Sequence, residues 1–267
     1  KRPPLHAAPW LVLAAKLLRA RGYRTYLTGK WHLGHTPGTL PTARGYDRAL
    51  ALSQSGADNF ENKPNLLLYD QADWTEDGKP ARLPARFYSS TLIVDRMIGY
   101  IASGRTSGKP FLASVNFLAN HIPVQASDAD LAAYRDRYAD GWTALREARR
   151  AGAVARGVMP AGVRMVTMGT TVDWNSLSPA ARAQRSGAMA AYAAMATAMD
   201  REIGRLVAAF NDIDMVRSLI EEGGGQLQLM DEEEGVLDGA VQLGYHLLEV
   251  LAGKGLLALA CLAVQGC

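Results

Sequence analysis

The chain has 267 residues, of which 48% are hydrophobic and 21% are charged, and its formal net charge is +3. This composition is that of a globular protein with one large or two small domains, and it excludes collagen, coiled-coil and repeat architectures. The small net charge gives no reason to expect a nucleic-acid partner. Two cysteines are too few for a disulfide framework or a cysteine-based zinc site. No run of about 18 uncharged apolar residues occurs, so we expect no membrane span.

The composition changes sharply after Phe210. Residues 1–210 hold 27 of the 29 basic residues, all 12 prolines and all five tryptophans, whereas residues 211–267 hold 10 of the 26 acidic residues and both cysteines. We therefore expect two parts: residues 1–210 as one domain, and residues 211–267 as an acidic and then apolar tail of unknown origin.

The first predicted elements are a helix and a strand. Apolar residues recur with helical spacing over residues 10–21, and Gly22 stands where a helix C-terminus needs glycine. Residues 23–27 are aromatic and β-branched, which predicts a strand. Residues 53–86 are rich in proline and turn residues, and we expect them to be irregular, with a turn at Asp77-Gly78.

A second helix and strand follow. Ser89 or Ser90 is a candidate N-cap for a helix that ends at Gly104. Residues 111–117 form a nearly continuous apolar run, as in a strand covered on both faces. Residues 128–160 are helix-prone, and a final helix is predicted from about Ser186. Its expected buried face is Met189, Tyr192, Ala196, Met199, Ile203, Leu206 and Phe210. This order predicts an α/β fold with a mostly parallel sheet.

Polar groups follow both predicted strands, at the edge where open α/β sheets bind ligands. Lys30 and His32 come after the first strand; in an extended segment they would point to the same side and could bind an oxyanion. His121 follows the second strand. The alternative is that Lys30 and His32 are solvated surface residues and His121 an ordinary loop histidine. Asp58-Asn59 could supply oxygen ligands to a cation, but with no second carboxylate we interpret the pair as turn residues.

Residues 18–34 closely resemble the second signature of the sulfatase family, with its core Gly29-Lys30-Trp31-His32-Leu33-Gly34. The resemblance covers about residues 10–210. It continues through Arg44-Gly45-Tyr46-Asp47 and Lys109-Pro110-Phe111, includes the strand that ends near His121, and extends to residues 138–142 and 188–195.

The resemblance implies an alkaline-phosphatase-like α/β sandwich and an arylsulfatase-like hydrolase that cleaves sulfate esters to an alcohol or phenol plus sulfate. Substrates would be small-molecule or glycan sulfate esters. The intact family uses a formylglycine nucleophile and a Ca²⁺ or Mg²⁺ ion. In that picture Lys30 bridges sulfate and nucleophile, His32 takes a proton from the formylglycine hydrate, and His121 holds a sulfate oxygen near the leaving group.

The sequence departs from this pattern in the nucleophile and the metal ligands. It contains no Cys-x-Pro-x-Arg or Ser-x-Pro-x-Arg motif, and only 28 residues precede the Gly29 motif, upstream of which the nucleophile and paired aspartates are expected. The late Asp-Asn-Gly ligand motif is replaced by Asn211-Asp212-Ile213, and Asn120 stands where the His121 element has proline. We therefore expect a sulfatase domain that is incomplete at both ends, with neither metal nor formylglycine, and inactive by itself.

Two alternatives remain at this point. One is a pseudo-sulfatase or truncated product with at most an anion-binding site. The other is a related phosphate or phosphonate ester hydrolase, since the superfamily shares a cationic site. The resemblance makes a periplasmic, secreted or lysosomal location the expectation, although no targeting segment is evident.

Overall fold

The computed structural model describes residues 14–167 and 169–211. The predicted tail, 211–267, lies outside the described residues apart from its first residue. Within the described range the structure has four short 3-10 helices, at Pro37–Thr39, Pro41–Arg44, Arg105–Ser107 and Trp174–Ser176. The strands are β1 (Arg24–Lys30), β2 (Arg48–Leu52), β3 (Trp74–Glu76), β4 (Lys79–Pro80) and β5 (Phe111–Asn116). The α-helices are α1 (Ala14–Ala20), α2 (Ser89–Gly104), α3 (Asp128–Ala132), α4 (Gly141–Ala155) and α5 (Pro179–Asn211).

The five strands form one mixed sheet with the order β4-β3-β2-β1-β5. β1 pairs in parallel with β2 on one side and with β5 on the other, while β3 and β4 extend the sheet in antiparallel fashion. The α/β architecture predicted from the sequence is confirmed, and the three parallel strands, β2, β1 and β5, form one side of the sheet. The carboxyl ends of β1 and β5 therefore lie side by side at one edge.

Strand β1, the middle one of the three parallel strands, is longer than the sequence pattern suggested. β1 continues to Lys30, and its five inner residues are all buried. Thr25 is stabilised by Asp47, whose carboxylate accepts hydrogen bonds from the Thr25 amide at 3.0 Å and hydroxyl at 3.3 Å. The same carboxylate pairs with Arg19 of α1 at 2.8 Å. This network connects α1 to β1 and to the start of β2.

Residues 53–86 are more ordered than expected. Besides the turn at Asp77-Gly78, which is confirmed, they contain β3 and β4. The Asp77 carboxylate accepts a hydrogen bond from the Ala49 amide at 2.9 Å and from Arg48 at 2.8 Å, so the hairpin is attached to β2. The prediction of an irregular segment was wrong here because three-residue and two-residue strands leave almost no periodicity to detect.

Helix α2 covers the sheet with an apolar face that includes fully buried Ile93 and Met97. The predicted cap is wrong: Tyr88 occupies the N-cap, and Ser89 and Ser90 are buried first-turn residues. Helix α5 begins at Pro179, earlier than Ser186, and its predicted face is buried at Ala196, Met199, Ile203 and Leu206, whereas Tyr192 is 39% exposed. Phe210 also belongs to the predicted face, but its side chain lies outside the part of the chain that the structure describes.

The chain separates into two compact units, one containing residues 14–125 and 196–211 and the other residues 126–195. The first unit holds the whole sheet. In the second, Trp142 and Trp174 pack edge to face with ring centres 4.9 Å apart, and the Ser186 hydroxyl donates to the Tyr138 carbonyl at 2.6 Å. Within the described residues, no helix is both long and apolar enough to cross a bilayer.

Candidate functional site

The motif from Gly29 to Gly34 needs glycine at both ends. Gly29 has a φ of 101°, and a Cβ there would lie 1.9 Å from the Asn116 carbonyl oxygen of β5. Gly34 has a φ of 129°, and a Cβ there would lie 2.4 Å from the Thr39 hydroxyl. Both positions combine a left-handed backbone with a close neighbour, so only glycine fits. The two glycines allow β1 to approach β5 and then let the chain turn away.

Trp31 anchors the segment between the two polar residues of the motif. Its side chain is buried, its indole nitrogen donates to the Thr39 carbonyl at 2.9 Å, and its ring meets Tyr46 edge on at 6.1 Å. Its amide donates to the Leu52 carbonyl at 2.8 Å, which extends the pairing with β2 by one residue. A fixed tryptophan between Lys30 and His32 restricts where both can lie.

Lys30 is the last residue of β1, and its main chain is held by the neighbouring strand. Asn116, at the end of β5, donates from Nδ2 to the Lys30 carbonyl at 2.9 Å. The Asn116 Oδ1 in turn accepts from the Ser114 hydroxyl at 3.1 Å. Asn116 thus fixes the carboxyl ends of both strands, a role that its place at the end of an apolar run could have suggested.

His32 does not continue the extended segment. Its φ is 50°, in the left-handed region, so the expectation that Lys30 and His32 converge because of strand alternation rested on a wrong backbone geometry. They are nevertheless close enough to interact electrostatically. The His32 Nε2 lies 3.4 Å from the Tyr69 hydroxyl, which is 2.8 Å from the Ser55 hydroxyl. Sequence reasoning missed Tyr69 and Ser55, which lie in a segment without a recognisable motif.

The pKa of His32 is lowered below its ordinary value of 6.5. The largest cause is desolvation by surrounding atoms, followed by the positive charge of Lys30 and the charge of His121. A lowered pKa keeps the imidazole neutral at pH 7, so one ring nitrogen can accept a proton. This electrostatic interaction also places His32, Lys30 and His121 in one neighbourhood.

His121 lies five residues beyond the end of β5, in a turn. Its Nδ1 is 2.8 Å from the carbonyl oxygen of Ile122. A carbonyl oxygen can only accept, so this nitrogen carries the hydrogen and donates it. The Nε2 of His121 is therefore the nitrogen left to contact a ligand.

The turn that carries His121 is held by Asp58, Asn59 and Gln125. Buried Asn59 donates from Nδ2 to the Pro123 carbonyl at 3.0 Å and to Gln125 Oε1 at 3.2 Å. Gln125 Nε2 donates to Asp58 Oδ2 at 2.7 Å. The prediction that Asp58-Asn59 are turn residues is confirmed, since Asp58 Oδ1 accepts the amides of Phe60 and Glu61. Their attachment to the His121 turn was not foreseen.

Burial alone would raise the pKa of Asp58. The hydrogen bonds from Gln125, Phe60 and Glu61, together with the charge of Lys63, outweigh it and lower this pKa below its ordinary value of 3.8. Asp58 is therefore an ionised acceptor at neutral pH. It serves to hold the turn, because all its described contacts are structural.

Lys30, His32 and His121 line one cleft of about 240 Å³ at the carboxyl ends of β1 and β5. Tyr46, Asn116 and Asn120 line it as well. The Asn120 side-chain oxygen is buried and receives no hydrogen bond within the described residues. The structure thus brings together all three residues singled out in the sequence. Such a cleft offers hydrogen-bond donors and positive charge to a tetrahedral oxyanion.

The groups that the resemblance implies do not fit this part of the chain. Within residues 14–167 and 169–211, no three His, Cys, Asp or Glu side chains are grouped so that they could hold a metal ion. The sequence also has no motif from which formylglycine is made.

Comparison with known proteins agrees with the resemblance. The family model described as Sulfatase matches residues 12–215. An arylsulfatase of Klebsiella aerogenes is 30% identical over 195 residues, which cover 72% of this chain and 42% of that protein. An uncharacterized sulfatase of Schizosaccharomyces pombe is 31% identical over 207 residues, 72% of this chain and 36% of that protein. The chain thus spans less than half the length of these relatives.

The fold is also found among solved structures. The crystal structure of Ps i-CgsB matches with a TM-score of 0.51 and 20% identity, over 79% of this chain and 38% of that one. The sheet with its flanking helices is therefore an alkaline-phosphatase-like core. On the match to residues 12–215 and the two relatives, the chain belongs to the sulfatase family.

Proposed function

We propose that the cleft binds the sulfate group of a sulfate monoester, and that the protein is a sulfuric ester hydrolase or the substrate-positioning part of one. The observation that carries the proposal is the convergence of Lys30, His32 and His121 in one cleft. Family membership supports it, since the Klebsiella aerogenes relative is an arylsulfatase.

Lys30 supplies the fixed positive charge. Its backbone is held by pairing with β2 and by the side chain of Asn116 from β5, so the position of its Cα is set by the sheet and only the side chain is adjustable. A lysine ammonium acts as a compact point charge with three donors, which suits a tetrahedral oxyanion that presents several oxygens. Lys30 would therefore hold a sulfate oxygen.

His32 acts as a proton acceptor at neutral pH. Its lowered pKa keeps it neutral, and Tyr69, 3.4 Å from its Nε2, orients the ring. The imidazolium form of His121, which carries hydrogen on both ring nitrogens, would donate from Nε2 to a sulfate oxygen or the leaving-group oxygen while its Nδ1 donates to the Ile122 carbonyl. His32 would thus accept a proton on one side of the cleft, and His121 would donate a hydrogen bond on the other side.

The chain alone is expected to bind without turnover, since the residues of the cleft position and exchange protons but none is an activated nucleophile. Titration of the full chain with inorganic sulfate, followed by calorimetry and by histidine ring resonances, tests the binding. We expect saturable binding that shifts the His32 and His121 signals. Lys30→Gln should weaken sulfate binding by about tenfold, because one charge-assisted hydrogen bond is lost.

Lys109→Gln is the matched control, because Lys109 is an exposed lysine that precedes β5 at the opposite edge of the sheet. Equal weakening by the two variants would mean unspecific attraction and would contradict the proposal. A turnover assay with an aryl sulfate and calcium completes the test. Activity above buffer that Lys30→Gln abolishes would overturn the expectation of inactivity and show that the chain holds a nucleophile.

A further inference from the structure

The second unit contains a cleft that the proposed function does not use. It is formed by the first two turns of α4 and by residues 166–167 and 171–173, and its volume is about 440 Å³. Its described lining residues are all different from those of the cleft at β1 and β5. We call it the α4 cleft, and its lining residues are Trp142, Thr143, Arg146, Val166, Thr167, Thr171, Val172 and Asp173.

An aromatic pair fixes one wall of the α4 cleft. Trp142 lines the cleft and meets buried Trp174 edge to face, with ring centres 4.9 Å apart. Gly141 allows this packing: its φ is 84°, and a Cβ there would collide with the Trp174 ring. The glycine at the start of α4 therefore lets Trp174 pack beneath Trp142. A fixed tryptophan is the kind of surface against which an apolar ligand group packs.

Arg146 brings a cation with an unsatisfied edge to the α4 cleft. Its Nη1 donates to the Thr167 hydroxyl at 2.6 Å, and its Nη2 lies 3.7 Å from the Glu147 carboxylate, too far for a hydrogen bond. Its Nε is buried and has no acceptor among the described residues. The Arg146 side chain is nevertheless 32% exposed, so a ligand can reach it.

The unsatisfied edge of Arg146 has the geometry that recognises a carboxylate. Nε and Nη2 point to the same side of a guanidinium, and together they donate two parallel hydrogen bonds to the two oxygens of a carboxylate. A buried N–H group without an acceptor lowers stability, so a ligand that supplies one gains that free energy on binding. Arg146 thus favours a ligand with a carboxylate group.

The other lining residues add a negative charge and an apolar surface. The Asp173 carboxylate accepts the Asn175 amide at 3.1 Å, and no ion pair of the described residues joins it to Arg146. Val166 and Val172 are 83% and 54% exposed, and a ligand that covers them removes apolar surface from water. One cation, one anion and an apolar wall match a molecule that carries both charges on an apolar body.

We propose that the α4 cleft binds a free α-amino acid with a large apolar side chain. Its carboxylate bonds to Arg146, its ammonium group pairs with Asp173, and its side chain packs against Trp142 and the two valines. A carboxylate without an ammonium group would be repelled by Asp173, and an amine without a carboxylate would leave Arg146 unsatisfied. Thr167 is a positioning residue, because it holds the Arg146 guanidinium through Nη1.

The test is binding of L-phenylalanine to the full chain, measured by calorimetry and by the indole N–H resonance of Trp142, which Trp142→Phe assigns. The two comparison probes are 3-phenylpropionate, which lacks the ammonium group, and phenethylamine, which lacks the carboxylate. We expect a Kd for L-phenylalanine below about 1 mM, and affinity at least about tenfold higher than for either probe. Equal affinity for all three would overturn the inference.

Two variants remove one charge each, and each should weaken binding of L-phenylalanine about tenfold. They are Arg146→Gln and Asp173→Asn, of which the second keeps an oxygen that can still accept the Asn175 amide. Arg149→Gln is the matched control, since Arg149 is an exposed arginine of the same helix that does not line the cleft. Lys30→Gln should weaken sulfate binding and leave binding of L-phenylalanine unchanged.

The outcomes separate this inference from the proposed function. The inference is overturned if L-phenylalanine does not bind, or if Arg149→Gln weakens its binding as much as Arg146→Gln does. A tenfold loss with Lys30→Gln would also overturn it, because the probe would then occupy the cleft at β1 and β5. If Arg146→Gln lowers the melting temperature by several degrees, Asp173→Asn decides the result. Failure of sulfate to bind would contradict the proposed function alone.

Discussion

The two histidines of the cleft are carried by segments that are built differently. His32 follows β1, and its position depends on backbone geometry: the close approach of Gly29 to Asn116 and the hydrogen bond from the Trp31 amide to the Leu52 carbonyl. His121 stands in a turn beyond the last residue of β5. That turn depends on side chains, chiefly on Asn59, which comes from a distant part of the chain and donates to the Pro123 carbonyl and to Gln125 Oε1.

This difference predicts different responses to mutation. A backbone that fits only glycine has no room to adjust, because the neighbouring atoms belong to a hydrogen-bonded strand. A turn held by side-chain hydrogen bonds can loosen while the sheet beneath it stays folded. Damage on the His32 side should therefore unfold the protein, whereas damage on the His121 side should cost ligand binding first.

The largest effect is expected from Gly29→Ala. The new Cβ would collide with the Asn116 carbonyl, and alanine would have to adopt a left-handed φ. Together these should lower the free energy of unfolding by about 3 kcal/mol or more. Chemical denaturation measures it. Gly22→Ala is the control: its φ is also positive, at 90°, but nothing lies within 4 Å. It should cost only about 1 kcal/mol of conformational strain. Equal costs would show that the backbone conformation, and not the contact with β5, requires glycine.

An intermediate effect is expected from Asn59→Ala. The change removes hydrogen bonds to Pro123, Gln125 and Ser89 inside the fold, at a cost of about 2 kcal/mol of stability. At a temperature where the variant is still folded, sulfate affinity should fall as well, because the His121 turn loosens. Asn62→Ala, at an exposed neighbouring position, is the control. Unchanged sulfate affinity in folded Asn59→Ala would break the proposed link between this asparagine and the site.

The smallest effect is expected from pH. Because the pKa of folded His32 lies below 6.5, the ring gains its proton only as the pH falls through that lowered value. The protonated ring adds a cation beside Lys30, so sulfate affinity should rise about threefold on acidification. His32→Gln should reduce this rise, and His35→Gln should not. Binding isotherms between pH 5 and 7.5 measure it. Identical profiles for wild type and His32→Gln would show that protonation of His32 does not cause the rise.

The lowered pKa of His32 also determines how the stability of the folded protein changes with pH. The unfolded chain binds a proton at His32 with the ordinary pKa of 6.5, and the folded chain only at lower pH. Well above pH 6.5 the His32 ring is neutral in both states, so it does not change the free energy of unfolding. As the pH falls below 6.5, the unfolded state binds the proton first, so the folded state loses stability. Sulfate, which attracts that proton, should offset this loss.

Much of the fold could be predicted because its main elements are long and regular. The apolar run of β5, the face of α2 and the glycine that ends α2 all have local sequence signals. The short strands β3 and β4 could not be predicted, since their pairing with β2 and with each other is decided by tertiary contacts.

The candidate site was predictable only in part. The resemblance picked out Lys30, His32 and His121, and strand order explains why they meet. The positive φ of His32 follows from the turn between two glycines, which alternation along a strand does not anticipate. Tyr69 contacts His32, 37 residues away in the sequence, and Asn59 contacts Pro123, 64 residues away. The residues next to Tyr69 and Asn59 in the sequence give no indication of these partners. Such contacts exist only once the chain is folded.

The pairing of β1 with β5 also determines when the site can form. Lys30 and Asn116 are 86 residues apart in sequence, yet their hydrogen bond joins the two strand ends. Closing a loop of that length has a large entropic cost, and parallel pairing at such a distance comes late in folding. A chain in which β1 and β5 have not yet paired lacks the cleft. Sulfate binding, followed in time during refolding, would therefore report the pairing of these two strands.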